Sequence, residues 1–217
     1  MKAGVVQARE GLRLVSDKLG RLIPKALSGA ESFLIGDRPT EFGIADFWRW
    51  SSSDLVSNSL RGVLAEFIVA KALGVSTTRP RTEWDMCDLR LGPLLIEVKS
   101  AAYLQSWSQK RLSPISFLVT PRRGWDAATS TMGKVARRHA DVYVFALLAH
   151  QDKATVNPMD LAQWEFWILH RSVLDGRTRS QHSITLASLI RLAGAATSFS
   201  DIAGAVEREG RHSRVAG

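Results

Sequence analysis

Two short apolar segments on either side of Gly92-Pro93 constrain the fold of this chain more than any other feature. The segments run from Met86 to Leu91 and from Leu94 to Ser100, and each has the length of a single strand. A Gly-Pro pair between two such segments predicts a β-hairpin with a two-residue loop. In that hairpin Leu91 lies opposite Leu94, and every other cross-strand pair follows from this one.

The hairpin sorts apolar and charged side chains onto opposite faces. Directly opposed residues of an antiparallel pair project to the same side of a sheet. One predicted face is wholly apolar and carries Cys87, Leu89, Leu91, Leu94, Ile96 and Val98. The other face carries Asp88, Glu97 and Lys99, surrounded by Met86, Arg90 and Leu95. A slip of one residue would mix these sets whereas a slip of two would not, so the pattern fixes only the parity of the register.

The charged face has the composition of a metal-dependent hydrolytic site. The carboxylates of Asp88 and Glu97 repel each other unless a positive group lies between them, and their oxygens suit Mg²⁺ or Mn²⁺. The backbone carbonyl of Val98 is a candidate third oxygen ligand, and Lys99 can position and activate a water molecule. The same trio is also typical of a solvated ion-pair patch. Asp85 has the parity of the apolar face, which predicts a turn or strand-cap role.

A helix predicted over Leu60 to Leu73 carries one isolated acid, Glu66. The segment Ser57-Asn58-Ser59 can cap the start of this helix, and Gly74 can close its end. The neighbours of Glu66 at three and four residues are all uncharged, namely Gly62, Val63, Val69 and Ala70. Because burial of an unpaired carboxylate is expensive, Glu66 is expected to face a metal or Lys99, or to pair with an arginine distant in sequence.

The rest of the chain predicts a single α/β domain with mixed or antiparallel strand pairing. The further predicted helices are Val5 to Leu27, Ala127 to His139, Leu186 to Leu192 and Phe199 to Glu207. The further predicted strands are Ile115 to Val119, Asp141 to Ala149 and Gln163 to His170. We expect residues 1–56 to form an N-terminal helical extension packed on the core. Residues 57–217 are expected to form the main domain, including a C-terminal strand and helices.

An excess of basic residues indicates a polyanionic partner. The chain has 29 Lys and Arg against 21 Asp and Glu, a formal net charge of +8. Because each neutralised phosphate releases condensed counterions, this balance suits a nucleic acid. The predicted phosphate contacts, which carry no sequence readout, are Lys110, Arg111, Arg122, Arg123, Lys134, Arg137 and Arg138. Trp107 and Trp125 could stack on unpaired bases, although core packing is the commoner role of tryptophan.

Several other classes of protein and site are excluded or disfavoured by the sequence. Cys87 is the only cysteine, so the chain has neither an internal disulfide nor a cysteine-based zinc cluster. The five histidines lack metal-ligand spacing, and we find no phosphate-binding glycine loop, nucleophile elbow or dinucleotide fingerprint. No stretch approaches the roughly 18 apolar residues of a membrane span. We therefore expect a cytoplasmic protein without membrane contact.

A helix with an embedded Glu, followed by a hairpin carrying Asp-x8-Glu-x-Lys, resembles the restriction-endonuclease-like superfamily, the PD-(D/E)xK nucleases. The resemblance covers about residues 60–119 and extends less strictly to residue 149. It implies an α/β fold with a restriction-endonuclease-like core, in which helices flank a mixed four- to five-stranded sheet in αβββαβ order. Cys87 stands where many members have the proline of the motif.

The resemblance also implies a function. By this resemblance the site residues are Glu66, Asp88, Glu97, Lys99 and Gln105. Asp88 and Glu97 would hold Mg²⁺ or Mn²⁺, Lys99 would be the catalytic lysine, and Glu66 would be the acid of the first helix. Gln105 would match a glutamine that several members have shortly after the lysine, with a loop hydrogen bond as the alternative. The implied activity is hydrolysis of nucleic acid, DNA in preference to RNA, and a homodimer is possible.

Two other functions are compatible with the same residues. The chain could be a catalytically inactive nucleic-acid-binding or assembly module that retains the nuclease fold. It could also be an unrelated α/β protein on which the trio is a surface charge patch. A binding module would hold DNA in a salt-dependent way without cleaving it. Replacement of a mere charge patch would change neither stability nor activity.

Overall fold

The computed structural model of the chain describes residues 24–81, 86–126, 131–178 and 180–215. Asp85 lies outside the described residues, as does the predicted helix from Val5 to Leu27 except for its last four residues. Those four, residues 24–27, form no helix.

Within the described ranges the chain contains both strands and helices, and the strands are the more numerous. The strands are β1 (Ser32–Ile35), β2 (Arg38–Gly43), β3 (Leu89–Leu91), β4 (Leu94–Ala102), β5 (Ser116–Leu118), β6 (Arg122–Asp126), β7 (Thr131–Arg137), β8 (Val142–Leu148), β9 (Trp164–His170) and β10 (Ser183–Thr185). The helices are α1 (Ile44–Ser52), α2 (Asn58–Ala72), α3 (Arg171–Asp175), α4 (Leu186–Ala193) and α5 (Ile202–Val215). Short 3₁₀ turns precede β9 and α5.

A mixed four-stranded sheet organises the molecule, in the order β3-β4-β8-β9. Strand β4 pairs with β8 in parallel over seven residues, whereas β3–β4 and β8–β9 are antiparallel. All seven residues of β8 are buried, as expected for a central strand covered on both faces. This arrangement confirms the prediction of an α/β protein with a mixed four-stranded sheet and flanking helices.

Each face of the sheet packs against its own hydrophobic layer. On one face, α2 and α5 contribute Ala65, Ile68, Val69, Ile202, Ala205 and Val206 to a cluster with Ile96, Val98 and Val144. On the other face, β5, α3, β10 and α4 contribute Phe117, Leu174, Ile184 and Leu189 to a cluster with Tyr143 and Phe145. Helix α2 begins at the Ser57-Asn58 position predicted for its start and ends before Gly74, which has a positive φ of 66°.

The predicted hairpin register is confirmed, with Leu91 opposite Leu94 and Leu89 opposite Ile96. The turn between them is possible because Gly92 has a φ of 58°, a conformation that favours glycine. The strand begins only at Leu89 rather than at Met86. As a result Cys87 does not join the apolar face as predicted, and it packs in the opposite cluster with Tyr143 and Phe145.

The helix predicted from Ala127 to His139 is wrong where the structure describes it, because Thr131–Arg137 is strand β7. This strand forms a hairpin with β6, and Gly133 lies so close to the backbone of Gly124 that a Cβ would be 3.3 Å from its carbonyl oxygen. Glycine and β-branched residues favour this extended pairing over a helix, despite the basic residues among them. Strand β5 also differs from expectation, since it pairs with β10 and not with the main sheet.

The described part of residues 1–56 contains the β1–β2 hairpin and α1, so it is helical only in part. Large apolar side chains on this segment are exposed, among them Leu34, Ile35 and Trp50. Among all helices of the described ranges, none combines the length and the apolar character needed to cross a membrane.

The two isoleucines Ile96 and Ile35 provide a matched test of the core. Ile96 in β4 is fully buried, whereas Ile35 in β1 is 70% exposed. We expect Ile96→Ala to lower the free energy of unfolding by about 2 to 5 kcal/mol, because it leaves a cavity under α2. Ile35→Ala should cost less than about 0.5 kcal/mol. Urea unfolding followed by circular dichroism measures both, and equal losses would contradict the assignment of the core.

Candidate active site

Strand β4 presents Glu97 and Lys99 side by side on one face of the sheet. Residues two apart in a strand project to the same side, and here the Lys99 ammonium donates a hydrogen bond to the Glu97 carboxylate. Their side chains are only 18% and 20% exposed, so the ion pair is partly shielded from water. The parallel pairing with β8 places Tyr143 beside Glu97 and Phe145 beside Lys99.

Asp88 joins this pair at the open edge of β4. Because β3 begins only at Leu89, the N–H of Val98 has no strand partner on that side, and it donates to Asp88 Oδ2 over 2.7 Å. The N–H and C=O of one strand residue leave the same edge, so the Val98 carbonyl also faces the side that β3 leaves uncovered. Asp88 thus lies beside Val98 at the sheet edge, and its carboxylate interacts electrostatically with that of Glu97.

The Asp88 carboxyl group is in an unfavourable environment for a negative charge. Burial raises its pKa to about 7, and the negative charges of Glu97 and Glu66 add to the rise. The Val98 N–H and the Lys99 ammonium act in the opposite direction without cancelling it. A cation bound beside Asp88 would relieve this repulsion.

Glu66, on α2, lies close enough to Asp88 to affect its charge, but its carboxylate is paired with an arginine side chain. Its carboxylate forms a two-fold ion pair with Arg81, with Arg81 Nη2 donating to Oε1 over 3.0 Å. The Glu66 side chain is 13% exposed. The alternative of a salt bridge with an arginine distant in sequence is thus confirmed, while the charge of Glu66 still acts on Asp88.

A narrow cleft of about 40 Å³ opens beside Glu97 and Lys99. Tyr143 lines it, and burial followed by the charge of Glu97 raises the pKa of this phenol, so the hydroxyl group stays protonated at neutral pH. Sequence analysis missed Tyr143 because nothing in the sequence gives the register of the β4–β8 pairing. Arg122 and Arg137 line the same cleft.

The β6–β7 hairpin, which we call the basic hairpin, supplies these two arginines as a cross-strand pair. Arg122 lies directly opposite Arg137, and like charges so placed repel each other in the absence of an anion. Both side chains are exposed. The predicted phosphate contacts Arg123 and Lys134 are also exposed on this hairpin, and Lys110 and Arg111 are exposed in the loop after β4.

Arg138 also lines this cleft, but its guanidinium group is buried and fully engaged within the fold, which corrects the prediction of a phosphate contact. It is 4% exposed, and its guanidinium group donates to the carbonyl oxygens of Val119 and Gln181 and to Asp175 Oδ1. This arginine joins β5, α3 and the segment before β10. Its role in the fold is structural.

Gln105 is buried in the loop after β4, where its Nε2 donates to the Ala102 carbonyl and to Ser113 Oγ, both over 3.2 Å. The loop role is therefore confirmed. Trp107 and Trp125 are 55% and 38% exposed. The tryptophans of β9 are buried in the core, as core packing predicts.

The oxygen atoms of Asp88, Glu97 and Val98 suit a hard divalent cation in their chemistry. Mg²⁺ is commonly bound through one or two carboxylates, with water completing the octahedron. Within the described part of the chain, no group of three or more His, Cys, Asp or Glu side chains is arranged to hold a metal ion. The residues fit a site of two carboxylates and a carbonyl, and not a cage made of protein side chains alone.

No protein-family profile, curated protein or solved structure matches this chain. The interpretation of the site therefore rests on its own geometry and charges.

The raised pKa of Asp88 predicts a pH-dependent effect of Asp88→Asn on stability. Between about pH 4 and pH 7 the folded state binds more protons at Asp88 than the unfolded state does, so the free energy of unfolding falls as the pH rises. Asparagine carries no charge and retains an acceptor for the Val98 N–H. In buffer with EDTA, Asp88→Asn should stabilise the protein by roughly 1 to 3 kcal/mol at pH 8, with the gain vanishing near pH 4.

Asp37→Asn is the matched control, because Asp37 is exposed in the β1–β2 turn. Urea unfolding from pH 4 to pH 8 compares the two variants. A stability change of Asp88→Asn that is the same at both ends of this range would contradict the raised pKa.

Proposed function

We propose that this chain is a nuclease that requires Mg²⁺ or Mn²⁺ and hydrolyses phosphodiester bonds, in DNA rather than RNA. The observation that carries the proposal is the meeting of Asp88, Glu97 and Lys99 where β3 ends against β4. Two carboxylates that share a site with an amine beside a cleft lined by arginines form a set that phosphodiester hydrolysis can use.

The metal would be held by the carboxylates of Asp88 and Glu97 and by the Val98 carbonyl. When bound, it would stabilise charge on the phosphoryl oxygens and lower the pKa of a water molecule. Lys99 has three N–H donors, of which one is engaged by Glu97. The others can orient the attacking water, whose oxygen bonds to phosphorus as the ester P–O bond to the leaving strand breaks. Glu97 holds the ammonium in place for this role.

The fold supports the resemblance to the restriction-endonuclease-like superfamily in its first half. Helix α2, the β3–β4 hairpin and the parallel strand β8 lie in the order and around the site that the resemblance implies. The second half differs, since β5 lies outside the main sheet and the basic hairpin replaces a helix. The site is held by the first half, so we propose a nuclease core with an altered αβββαβ arrangement.

The basic hairpin supports a nucleic acid as the substrate. Arg122 and Arg137 border the same cleft as Glu97 and Lys99, so a phosphate bound by the arginines lies next to the proposed catalytic group. Arg123, Lys134, Lys110 and Arg111 extend the positive surface as further proposed phosphate contacts.

One observation favours the alternative of a catalytically inactive binding module. Both oxygens of Glu66 are bound by Arg81, and Glu97 is paired with Lys99. Such ion pairs can be a permanent network that only stabilises the fold. The two functions differ in whether a metal binds to Asp88 and Glu97 and whether DNA is cut.

Lys99→Ala and Asp88→Asn test the proposed chemistry. Each should reduce Mg²⁺-dependent cleavage of single-stranded, duplex and branched DNA by at least about 100-fold, because each removes a group that acts on the transition state. Lys71→Ala is the matched control, since Lys71 is exposed at the end of α2 and lies over the Phe67 ring. Cleavage is measured on labelled DNA by gel electrophoresis.

Undiminished cleavage by Lys99→Ala and Asp88→Asn would overturn the proposal. The inactive module would be indicated by two results together. The wild-type protein would bind DNA without cutting it, and Glu97→Gln would leave the affinity for Mn²⁺ unchanged. Isothermal titration with Mn²⁺ provides that second measurement.

Arg122→Gln and Arg137→Gln test the proposed nucleic-acid surface. Each should weaken DNA binding in EDTA and reduce the slope of log K against log salt by about 1, because each removes one phosphate contact. Arg191→Gln, at an exposed position of α4, is the matched control and should leave the slope unchanged. Fluorescence anisotropy at several salt concentrations gives the slopes. Identical slopes for all three variants would contradict the proposal that the basic hairpin binds nucleic acid.

A further inference from the structure

A cavity of about 410 Å³ lies between the start of α2 and the end of β4, and we call it the Arg61 cavity. Its polar lining consists mainly of Asn58, Arg61, Lys99, Gln105, Ser113 and Arg122. This volume is within the range of small-molecule pockets, roughly 300 to 1,000 Å³. Of the described residues that line it, none is acidic.

Arg61 brings a buried positive charge to this cavity. It is 4% exposed, and its guanidinium group donates to the Val56 carbonyl over 2.7 Å and to Asn58 Oδ1 over 2.6 Å. Neither of these partners carries a charge. Its Nε has no hydrogen-bond partner, and no carboxylate among the described residues lies within ion-pair distance. Burial of an uncompensated cation is expensive, so an anion from outside the described chain is expected.

Arg138 is a useful comparison within the same protein. It is equally buried, but Asp175 neutralises it and two carbonyl oxygens complete its hydrogen bonds. The buried structural arginine Arg138 is thus paired with an acidic side chain. Arg61 lacks one among the described residues, although burial lowers the pKa of its guanidinium group and so penalises its charge.

Gln105 contributes the second unsatisfied atom of the cavity. Its Oε1 is buried and has no partner, while its Nε2 is engaged by Ala102 and Ser113. Arg61 Nε and Gln105 Oε1 are the two buried side-chain atoms without a partner in the described ranges, and both residues line this one cavity. One atom is a donor and the other an acceptor, so a ligand that satisfies both carries an anionic oxygen and a hydroxyl group.

The start of α2 adds positive potential at the same place. Asn58 and Arg61 are in its first turn, the turn contains no acidic residue, and Ser57 makes no side-chain cap. The free N–H groups of a helix start attract anions. Lys99 and Arg122 also line this cavity, and both line the cleft beside Glu97.

We propose that the Arg61 cavity binds a phosphate group of the nucleic acid, next to the bond that is cut. Arg61 donates to the anionic oxygens, and Gln105 accepts from a P–O–H or sugar hydroxyl group of the ligand. The phosphate can be a monoester at a strand end or an internal diester, and of these two only the monoester can supply a P–O–H group, in its singly ionised form. The nature of the ligand rests on the proposed nuclease function, whereas the anion site itself does not.

Binding in EDTA tests this proposal without any cleavage. The probes are inorganic phosphate and oligodeoxynucleotides of one sequence that carry a 5′-phosphate, a 3′-phosphate or only hydroxyl ends. We expect phosphate to raise the melting temperature, and one phosphorylated oligonucleotide to bind at least about tenfold more tightly than the hydroxyl form. Arg61→Gln should abolish both effects, and Arg191→Gln should retain them.

Gln105→Glu provides a second variant that leaves Arg61 in place and covers the case in which Arg61→Gln fails to fold. A negative charge at this position should repel phosphate and remove the preference for phosphorylated ends. Equal weakening of all three oligonucleotides by Arg61→Gln or by Gln105→Glu would also support the phosphate site, with an internal diester as its source. A wild type that responds neither to inorganic phosphate nor to phosphorylated ends would overturn it, as would two variants that both keep the wild-type affinity for phosphate and for all three oligonucleotides. If the wild-type protein binds phosphate but does not cleave DNA when Mg²⁺ is present, the nuclease function is contradicted and the phosphate site is not.

Discussion

The parallel pairing of β4 with β8 is the interaction on which the rest of the structure depends. It covers seven residues of β4 and joins them to a strand that is buried along its whole length. Because β3 covers only three residues of β4, no other strand of the described ranges pairs with that edge from Val98 onward. The open edge accepts the Asp88 carboxylate, and the same rigid strand carries Glu97 and Lys99. A site that needs exact placement is thus built on the most buried part of the sheet.

Asp88, which is partly buried, and Arg61, which is buried, both lie in the surroundings of Lys99 and do not form an ion pair with each other. Asp88 has a surplus of negative neighbours, and Arg61 has no acid within ion-pair distance in the described part of the chain. A stable fold would ordinarily bring such charges together or replace them. Kept apart, they match a ligand pair of a divalent cation and a phosphate, which are the two components of the proposed reaction. This charge separation supports the proposed function, since neither hydrophobic packing nor the turn at Gly92 requires it.

The local features of the site could be predicted from the sequence, and the long-range ones could not. The turn and the alternating pattern sufficed for the register of β3 and β4, and the uncharged neighbours of Glu66 pointed to a distant partner, which is Arg81. Tyr143 was missed because the register of a parallel pair is set by packing of both faces and not by a turn. The helix predicted from Ala127 to His139 failed for a similar reason, since the hairpin is decided by close contact of Gly124 with Gly133.

The basic residues illustrate why a sequence alone cannot assign a surface. Neighbouring residues of a strand point to opposite sides, so a pair such as Arg122-Arg123 cannot send both side chains into one cleft. Arg122 and Arg137 face each other at the cleft, while Arg138, the next residue, turns inward to Asp175. Arg61 is the opposite case. Its position in an apolar helix does not predict a binding role, and only the structure shows that it is buried without an acidic partner among the described residues. Charge in the sequence predicts a polyanionic partner, but burial and pairing are needed to propose which arginines would bind it.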